Sequence, residues 1–307
     1  MTALITGGGG QLAQALQMSA PAGGAVRALS HAELDIAEEA AVEEVMRALQ
    51  PRLVINAAGF TRVDDAEARP EAAERVNATG PAVLAAACRA SGAWLLHVST
   101  DYVFDGTHHR PYAPSAEPHP LSVYGRTKLA GERAVQAALG AGSTLVRTSW
   151  LYSGGHRNFL TTMLPRLAAP GELRVVADQV GAPTAVSGLA RVLWALAERR
   201  AGGIFHWCDS GVASWYDFAV AIAEESRALQ LVHTPAVVIP ITSAEYPLPA
   251  ARPPYSLLDK SGTEQLLGVR AAHWRVALRE TLGGLAAERA AQGIAERTAP
   301  GSAGRGR

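Results

Sequence analysis

The sequence contains little cysteine and no net charge. Of its 307 residues, only Cys88 and Cys208 are cysteine, and 28 acidic side chains balance 28 Lys and Arg side chains. Two thiols exclude a disulfide framework and favour buried, reduced cysteines in the cytoplasm. Because a net charge of zero provides no attraction to nucleic acid or to an anionic membrane surface, we expect neither as a partner.

Long apolar runs are also missing. No stretch approaches the roughly 18 uninterrupted apolar residues that a membrane-spanning helix needs. The amino terminus passes directly into an apolar strand, which leaves no room for a signal peptide, so we predict a cytoplasmic protein. The chain is instead 48% hydrophobic, which is enough for one large domain or two interlocked ones.

A glycine cluster follows the first apolar run. Residues 3–6 lead into four consecutive glycines and then Gln-Leu-Ala. Read as G-x-x-G-x-x-A, the pattern gives Gly7 and Gly10 a tight turn and a close approach to a pyrophosphate, and Ala13 a close helix contact. The positive end of the next helix would face the phosphates. A flexible glycine-rich loop is the alternative, but the position directly after a strand favours dinucleotide binding.

Strand and helix patterns alternate through the first half of the chain. Apolar strands are predicted at 25–29, 53–59 and 94–99, with helices at 38–49 and 72–91 between them. This alternation predicts an α/β fold, a Rossmann doubly wound parallel sheet with helices on both faces. Ligands bind at the carboxyl ends of such strands, where Gly10, Gly59 and Thr100 fall.

The second half predicts a smaller C-terminal substrate-binding domain. We place helices at 158–167 and 215–229, a strand at 173–176 and proline-rich loops at 235–254. We predict an NAD(P)-binding Rossmann domain over 1–148, with 184–200 packing back on it, and a substrate-binding domain over 149–283. The Ala-, Gly- and Arg-rich tail, 284–307, is expected to be partly disordered, with a helical part over 285–297.

A hydroxyl, a phenol and an ammonium form the predicted catalytic set. Thr100 ends an apolar strand, and Tyr124 and Lys128 are four residues apart on a predicted helix, so they share a face. A nearby positive charge favours the ionised phenol, which predicts a general acid able to exchange a proton near neutrality, as carbonyl reduction requires. A surface Tyr and Lys is the alternative for YxxxK alone, but the glycine-rich turn favours a reductase.

The end of the second strand predicts the choice of cofactor. An acidic residue there commonly binds the ribose 2′-hydroxyl and selects NAD. Here the strand leads into Ser30 and His31, and no carboxylate comes before Glu33. We therefore predict that Ser30 and His31, with Arg27, accommodate a 2′-phosphate. The predicted cofactor is NADPH, with NADH as the alternative.

Several motifs then identify a family. The segments are STDYVFDG at 99–106, YGRTKLAGE at 124–132, VRTSWLY at 146–152, NF at 158–159, DQVGAPT at 178–184 and ARPPYSLLD at 251–259. In this order, from residue 1 to about 282, they resemble the dTDP-4-dehydrorhamnose reductases of the extended short-chain dehydrogenase/reductases. The resemblance implies NADPH-dependent reduction of dTDP-4-dehydro-β-L-rhamnose to dTDP-β-L-rhamnose, the last step of dTDP-rhamnose synthesis, with no metal needed for the chemistry.

The resemblance also implies roles for individual residues. Thr100 aligns with the hydroxyl that orients the substrate carbonyl, Tyr124 with the proton donor, and Lys128 with its activator, which also holds the nicotinamide ribose. The implied cofactor contacts include Gln11 and Leu12 at the phosphates, Asp35 and Ile36 near the adenine, and Gly59, Phe60 and Thr61 beside the nicotinamide. The implied substrate contacts are Val63, Thr100, Asp101, Tyr102, Trp150, Arg252 and Ser256.

The chain departs from the family at three positions. The two Glu residues associated with a Mg²⁺-bridged dimer are Ala15 and Ser187 here, so we expect a monomer or weak homodimer that is not Mg²⁺-bridged. The usual Asn of the RPxxS loop is Tyr255. Two alternatives therefore stay open: a reductase or epimerase of another nucleotide-linked 4-keto sugar, and a non-catalytic regulatory subunit resembling the β subunit of methionine adenosyltransferase.

Overall fold

The computed structural model describes residues 2–298, and the side chains of residues 2–291. The strands are β1 (Thr2–Thr6), β2 (Ala25–Leu29), β3 (Leu53–Asn56), β4 (Trp94–Thr100), β5 (Ser143–Thr148), β6 (Leu151–Tyr152), β7 (Glu172–Val176), β8 (Val180–Gly181), β9 (Thr184–Ala185), β10 (Gly203–His206), β11 (Ala213–Ser214) and β12 (Val237–Ile241). The helices are α1 (Gln11–Met18), α2 (Glu39–Leu49), α3 (Val63–Ala68), α4 (Pro70–Glu74), α5 (Gly80–Ser91), α6 (Val123–Leu139), α7 (Phe159–Ala168), α8 (Val186–Glu198), α9 (Trp215–Ala228), α10 (Ser261–Leu267) and α11 (Trp274–Thr298).

Six parallel strands form the central sheet in the order β10-β5-β4-β3-β1-β2. The chain builds outward from β1 to β2 on one side and then crosses to add β3 and the later strands on the other side. Strand order therefore reverses between β1 and β3, and the crevice outside their carboxyl ends is the place where such sheets bind ligands. The predicted doubly wound α/β fold is confirmed.

Helices cover both faces of this sheet because successive strand residues point to opposite sides. Leu95 packs into the core beneath α2, α5 and α6, whereas Leu96 packs into the core beneath α1 and α8. Cys88 and Cys208 are buried free thiols, as predicted. Helix α8 contacts α1 directly, and Trp194 Nε1 donates to the carbonyl of Leu16 at 3.0 Å. The division into domains stays a prediction.

Two predicted elements in the first half have different bounds. Strand β3 ends at Asn56 rather than at residue 59, because the Asn56 carboxamide oxygen accepts from Thr6 Oγ1 at 2.7 Å and from the amide of Ala58 at 3.2 Å. These bonds turn the chain away from the sheet. The predicted helix over 72–91 begins at Pro70 and contains a π-helical segment, Arg75–Thr79, between α4 and α5. Helix α3 was not predicted.

The prediction of loops over 235–254 is wrong for part of that range. Strand β12 lies within it and pairs in parallel with β7, with Pro240 opposite Val175. Proline lacks an amide donor and is tolerated where a strand has an unpaired side. Since β12 pairs with β7 alone, Pro240 fits the strand. The helical part predicted for 285–297 lies within α11, whereas residues 299–307 lie outside the described residues. Within residues 2–298, no helix combines the length and apolarity that crossing a membrane requires.

Helices α7, α9 and α11 enclose a further apolar core outside the central sheet, here called the C-terminal core. A buried carboxylate lies at its edge. Leu160, Phe218 and Leu278 meet in this core with no exposed surface. Beside them, Glu225 accepts from Arg275 Nε at 2.9 Å and from Arg279 Nε and Nη2 at 2.8 Å. The two guanidinium groups lower the pKa of Glu225 to about 2. This ion pair joins α9 to α11.

We expect Glu225→Gln to lower the free energy of unfolding at pH 7 by about 1–2 kcal/mol. The pKa of Glu225 is depressed on folding, so its contribution is complete above about pH 4.5 and is lost as the pH falls toward 2. Urea unfolding of both proteins at pH 7 and pH 3 measures this, and the difference should shrink at pH 3. Glu224→Gln, at a more exposed partner of Arg275, is the matched control and should cost less.

Candidate active site

A cavity of about 1310 Å³ opens along the carboxyl ends of the central strands. Ordinary small-molecule pockets measure roughly 300–1,000 Å³, so this cavity has room for a dinucleotide and a second ligand. Ser30 and Ser256 do not line it. The predicted site residues that do line it are Gly7, Gly10, Gln11, Leu12, His31, Asp35, Ile36, Gly59, Phe60, Thr61, Val63, Thr100, Asp101, Tyr102, Tyr124, Lys128, Trp150 and Arg252.

The glycine-rich turn has the shape that a diphosphate requires. Gly7 has φ +73°, and a Cβ there would lie 2.8 Å from the backbone of Ala58, so only glycine fits. Gly10 donates to the carbonyl of Gly7 at 2.8 Å and begins α1 as its N-cap. A Cβ at Gly9 would meet no atom within 4 Å, so the positive end of α1 is open to the cavity. The residues present therefore fit a dinucleotide.

Helix α6 lies in direct contact with the backbone after β4 and with that of the π-helical segment. A Cβ at Gly125 would be 2.2 Å from the carbonyl oxygen of Tyr102, and one at Gly131 would be 2.1 Å from that of Asn77. Ser122 caps the helix by accepting from the amide of Gly125 at 3.1 Å. Because α6 approaches so closely, its buried face carries Tyr124 and Lys128 to the end of β4.

Tyr124 and Lys128 are both buried, at 9% and 4% exposure, close to Thr100. The ammonium of Lys128 donates to the carbonyl of Val98 at 2.6 Å. Burial raises the pKa of the Tyr124 phenol to about 12, with the Thr100 hydroxyl acting in the opposite direction. Burial also lowers the pKa of Lys128 to about 8, against the effect of the Glu132 carboxylate.

Withdrawal from water disfavours the phenolate, and the ammonium of Lys128 is bonded to a backbone carbonyl. Burial therefore sets the pKa of the phenol here, and the role of Lys128 as its activator stays a prediction. A phenol with a pKa of about 12 keeps its proton throughout the physiological range. That is the protonation state that a proton donor requires.

Two buried polar atoms at the cavity have no hydrogen-bond partner among the described residues. Asp101 accepts from Thr100 Oγ1 at 3.1 Å through Oδ1, while its Oδ2 is unpaired, and Thr148 Oγ1 is unpaired as well. Burial raises the pKa of Asp101 to about 6. Because buried polar groups are nearly always satisfied in folded proteins, these two atoms are candidate contacts for a polar ligand at this wall.

Aromatic side chains form the opposite wall. Trp150 has φ +46° and stacks on Trp215 with ring centroids 3.6 Å apart, and Phe159 packs on Trp215 at 4.7 Å. Asn158, beside Phe159, donates to Gln11 Oε1 at 3.2 Å and thereby links α7 to the glycine-rich turn. Phe159 and Trp215 were not predicted as site residues, since each looks like an ordinary core aromatic at the start of a helix.

The cationic groups of the cavity are arranged differently from the prediction. Arg252, implied as a phosphate contact, forks onto Asp64 at 3.0 and 2.7 Å. Among the side chains that the structure describes, three other cavity arginines form no ion pair, and the sequence alone did not single them out. They are Arg69, Arg157 and Arg166.

The predicted 2′-phosphate position already holds a carboxylate. Both the amide and the hydroxyl of Ser30 donate to Glu33 Oε2 at 2.8 Å, and Arg27 Nη2 lies 3.7 Å from Glu33 Oε1. His31 lines the cavity beside this group. Two of the three residues predicted to receive the phosphate therefore face Glu33.

The parallel sheet and the glycine-rich turn place the chain among the Rossmann-fold reductases. A family model, the RmlD substrate binding domain, matches residues 1–286. The chain is 44% identical over 287 residues to the dTDP-4-dehydrorhamnose reductase of Mycobacterium tuberculosis (strain CDC 1551 / Oshkosh), covering 91% of each. It therefore belongs to the dTDP-4-dehydrorhamnose reductase family.

Two solved structures support this assignment. A dTDP-4-dehydrorhamnose reductase from Clostridium acetobutylicum has a TM-score of 0.87 at 39% identity, covering 93% of this chain and 99% of that one. The enzyme of that name from Bacillus anthracis, solved in complex with NADP, has a TM-score of 0.87 at 32% identity, covering 92% and 99%. Among the side chains of residues 2–291, no three of His, Cys, Asp or Glu are grouped to hold a metal ion.

We expect Asp101→Asn to raise the free energy of unfolding at pH 7 by about 2 kcal/mol. The pKa of Asp101 is raised on folding, so ionisation destabilises the folded state as the pH rises from about 4 through about 6. The gain should therefore vanish below about pH 4, and urea unfolding across this range measures it. Asp105→Asn is the matched control and should lower the free energy of unfolding, because hydrogen bonds lower the pKa of Asp105. An equal gain in stability in that variant would contradict the prediction.

Proposed function

We propose that this chain reduces the 4-keto group of dTDP-4-dehydro-β-L-rhamnose with NADPH and produces dTDP-β-L-rhamnose, the last step of dTDP-rhamnose synthesis. One observation carries the proposal: a single cavity joins an open glycine-rich helix start to the buried Thr100, Tyr124 and Lys128. The activity for which the relatives are named and the NADP complex of the Bacillus anthracis enzyme supply the substrate and the cofactor.

The chain's own residues would hold the cofactor along the crevice where the strand order reverses. The turn from Gly7 to Leu12 faces the diphosphate, Asp35 and Ile36 the adenosine half, and residues 59–61 with Lys128 the nicotinamide half. When bound, NADPH supplies a hydride to the substrate carbonyl carbon. Asp101 and Thr148, whose side chains have unpaired oxygens at the cavity wall, offer polar contacts to the sugar.

Tyr124 donates the proton in this proposal. The hydroxyl of Thr100 donates to the carbonyl oxygen and polarises it, and the phenol passes its proton to the same oxygen as the hydride arrives at carbon. The ammonium of Lys128 then offsets the charge left on the phenolate, which burial would otherwise penalise. Because a phenol with a pKa of about 12 is protonated at physiological pH, the reduction direction needs no prior protonation step.

The substrate half of the cavity suits a sugar nucleotide. Trp150, with Trp215 behind it, presents a flat apolar surface to a deoxysugar ring, and Val63 and Tyr102 line the same part of the cavity. Guanidinium groups favour diphosphates. Arg157 and Arg166 are uncommitted cations at that end, so we assign them this contact along with the Arg252–Ser256 loop.

The test is NADPH oxidation with enzymatically generated dTDP-4-dehydro-L-rhamnose, with NADH in parallel. Rapid oxidation that yields dTDP-rhamnose is the expected result. Tight NADPH binding without oxidation would overturn the proposal and point to another keto sugar or to a regulatory protein.

Replacing Tyr124 by Phe should lower kcat by about 10³-fold, since it removes the proton donor, and should leave NADPH affinity within about twofold. Stopped-flow turnover and NADPH fluorescence titration measure the two quantities. Tyr152→Phe is the control: it removes a phenol hydroxyl from the C-terminal core, away from the cavity, and should keep wild-type turnover. A Tyr124→Phe enzyme with near-normal kcat would rule out the assigned role.

Glu33→Gln should strengthen NADPH binding relative to NADH by about two- to fivefold, the range of an exposed charge interaction. The substitution removes a negative charge that holds both donors of Ser30 and would repel a 2′-phosphate. Fluorescence titration with each cofactor gives the ratio of dissociation constants. Glu39→Gln, an exposed carboxylate in α2, is the control, and an equal change in both variants would contradict the prediction.

A further inference from the structure

A buried ion pair lies under the catalytic side chains. Arg147, 2% exposed, donates to Glu132, 1% exposed, from Nε at 3.0 Å and from Nη2 at 2.7 Å. Ser99 Oγ donates to the same carboxylate. Replacing a buried ion pair by apolar side chains is often neutral or stabilising, so stability alone gives little reason for this arrangement.

The position of Glu132 gives a better reason. It follows Lys128 by four residues and Tyr124 by eight, so the three side chains share one stripe of α6. Ser99 immediately precedes Thr100, and Arg147 lies opposite Ser99 in the parallel pairing of β4 and β5. One carboxylate therefore joins the helix that carries the phenol and ammonium to the strand that carries the hydroxyl.

We propose that Glu132 is a positioning residue for the reduction: held by Arg147 and Ser99, it aligns α6 with the end of β4 and keeps Lys128 charged. The inference deepens the proposed function, on which it rests for the role of Lys128. It assigns Glu132 no contact with substrate or cofactor.

The charges around Lys128 are consistent with this role. His97 of β4 faces it, and burial holds the pKa of that imidazole well below its usual range, so His97 is neutral. On α6, Tyr124 is protonated and Glu132 is the nearby anion; Arg147 of β5 lies beyond Glu132. Burial alone favours a neutral lysine, and the Glu132 carboxylate opposes it.

The composition permits a direct measurement, because Lys128 and Lys260 are the two lysines of the chain. NMR of the full-length protein labelled at lysine should show two side-chain signals, which Lys260→Arg assigns. We expect the Lys128 signal to titrate near pH 8. In Glu132→Gln the midpoint should fall by about one pH unit, and the alkaline limb of the kcat/KM profile should move with it, while KM stays within about twofold.

A second variant covers the case in which Glu132→Gln fails to fold, since it leaves Arg147 buried and unpaired. Glu132→Met/Arg147→Met removes both charges at similar volume and should show a smaller fall in the Lys128 midpoint, because the loss of the Arg147 cation partly cancels the loss of the Glu132 anion. Glu225→Gln breaks an ion pair distant from the cavity and should move neither quantity. An unchanged Lys128 midpoint in the folded variants would overturn the inference. If the midpoint falls but the wild-type protein does not reduce the keto sugar, the proposed function fails and the effect of Glu132 on Lys128 stands.

Discussion

The contact between α6 and the main chain is the constraint on which the rest of the site depends. At Gly125 and Gly131 the helix touches carbonyl oxygens of Tyr102 and Asn77 so closely that no side chain fits between them. This approach lets Lys128 reach the carbonyl of Val98 and brings Tyr124 beside Thr100. Asn77 in turn donates to and accepts from the backbone of Phe60. The same contact therefore also positions the segment that lines the cofactor half of the cavity.

Burial then determines the chemistry of the groups that this contact brings together. Removal from water favours the neutral form of every ionisable group. It raises the pKa values of Tyr124 and Asp101 and lowers that of Lys128. The phenol is thereby kept protonated, while the Glu132 carboxylate opposes the effect of burial on the lysine. Polar groups placed in this way reduce stability, and the two extensive apolar cores on either side of the sheet offset that cost.

Much of this could be predicted because local patterns determine it. Strand β2 has the predicted bounds, 25–29, and the helix placing Tyr124 and Lys128 on one face follows from their spacing. Several of the differences involve distant partners. Asn56 ends β3 by bonding Thr6, fifty residues away; β12 exists because it pairs with β7; and Lys128 bonds a carbonyl of β4. Trp215 reaches the cavity by stacking on Trp150. Nothing in the local sequence at the start of α9 predicts that contact.

The net charge of the chain does not describe the charge inside the cavity. A formal net charge of zero predicts no long-range attraction to a polyanion. Within the cavity, however, Arg157 and Arg166 have no carboxylate partner among the described side chains, whereas Arg252 is held by Asp64. Low-dielectric walls focus such a local field on whatever enters the cleft. The proposed contact of these cations with the diphosphate of a sugar nucleotide rests on this local field and not on the net charge of the chain.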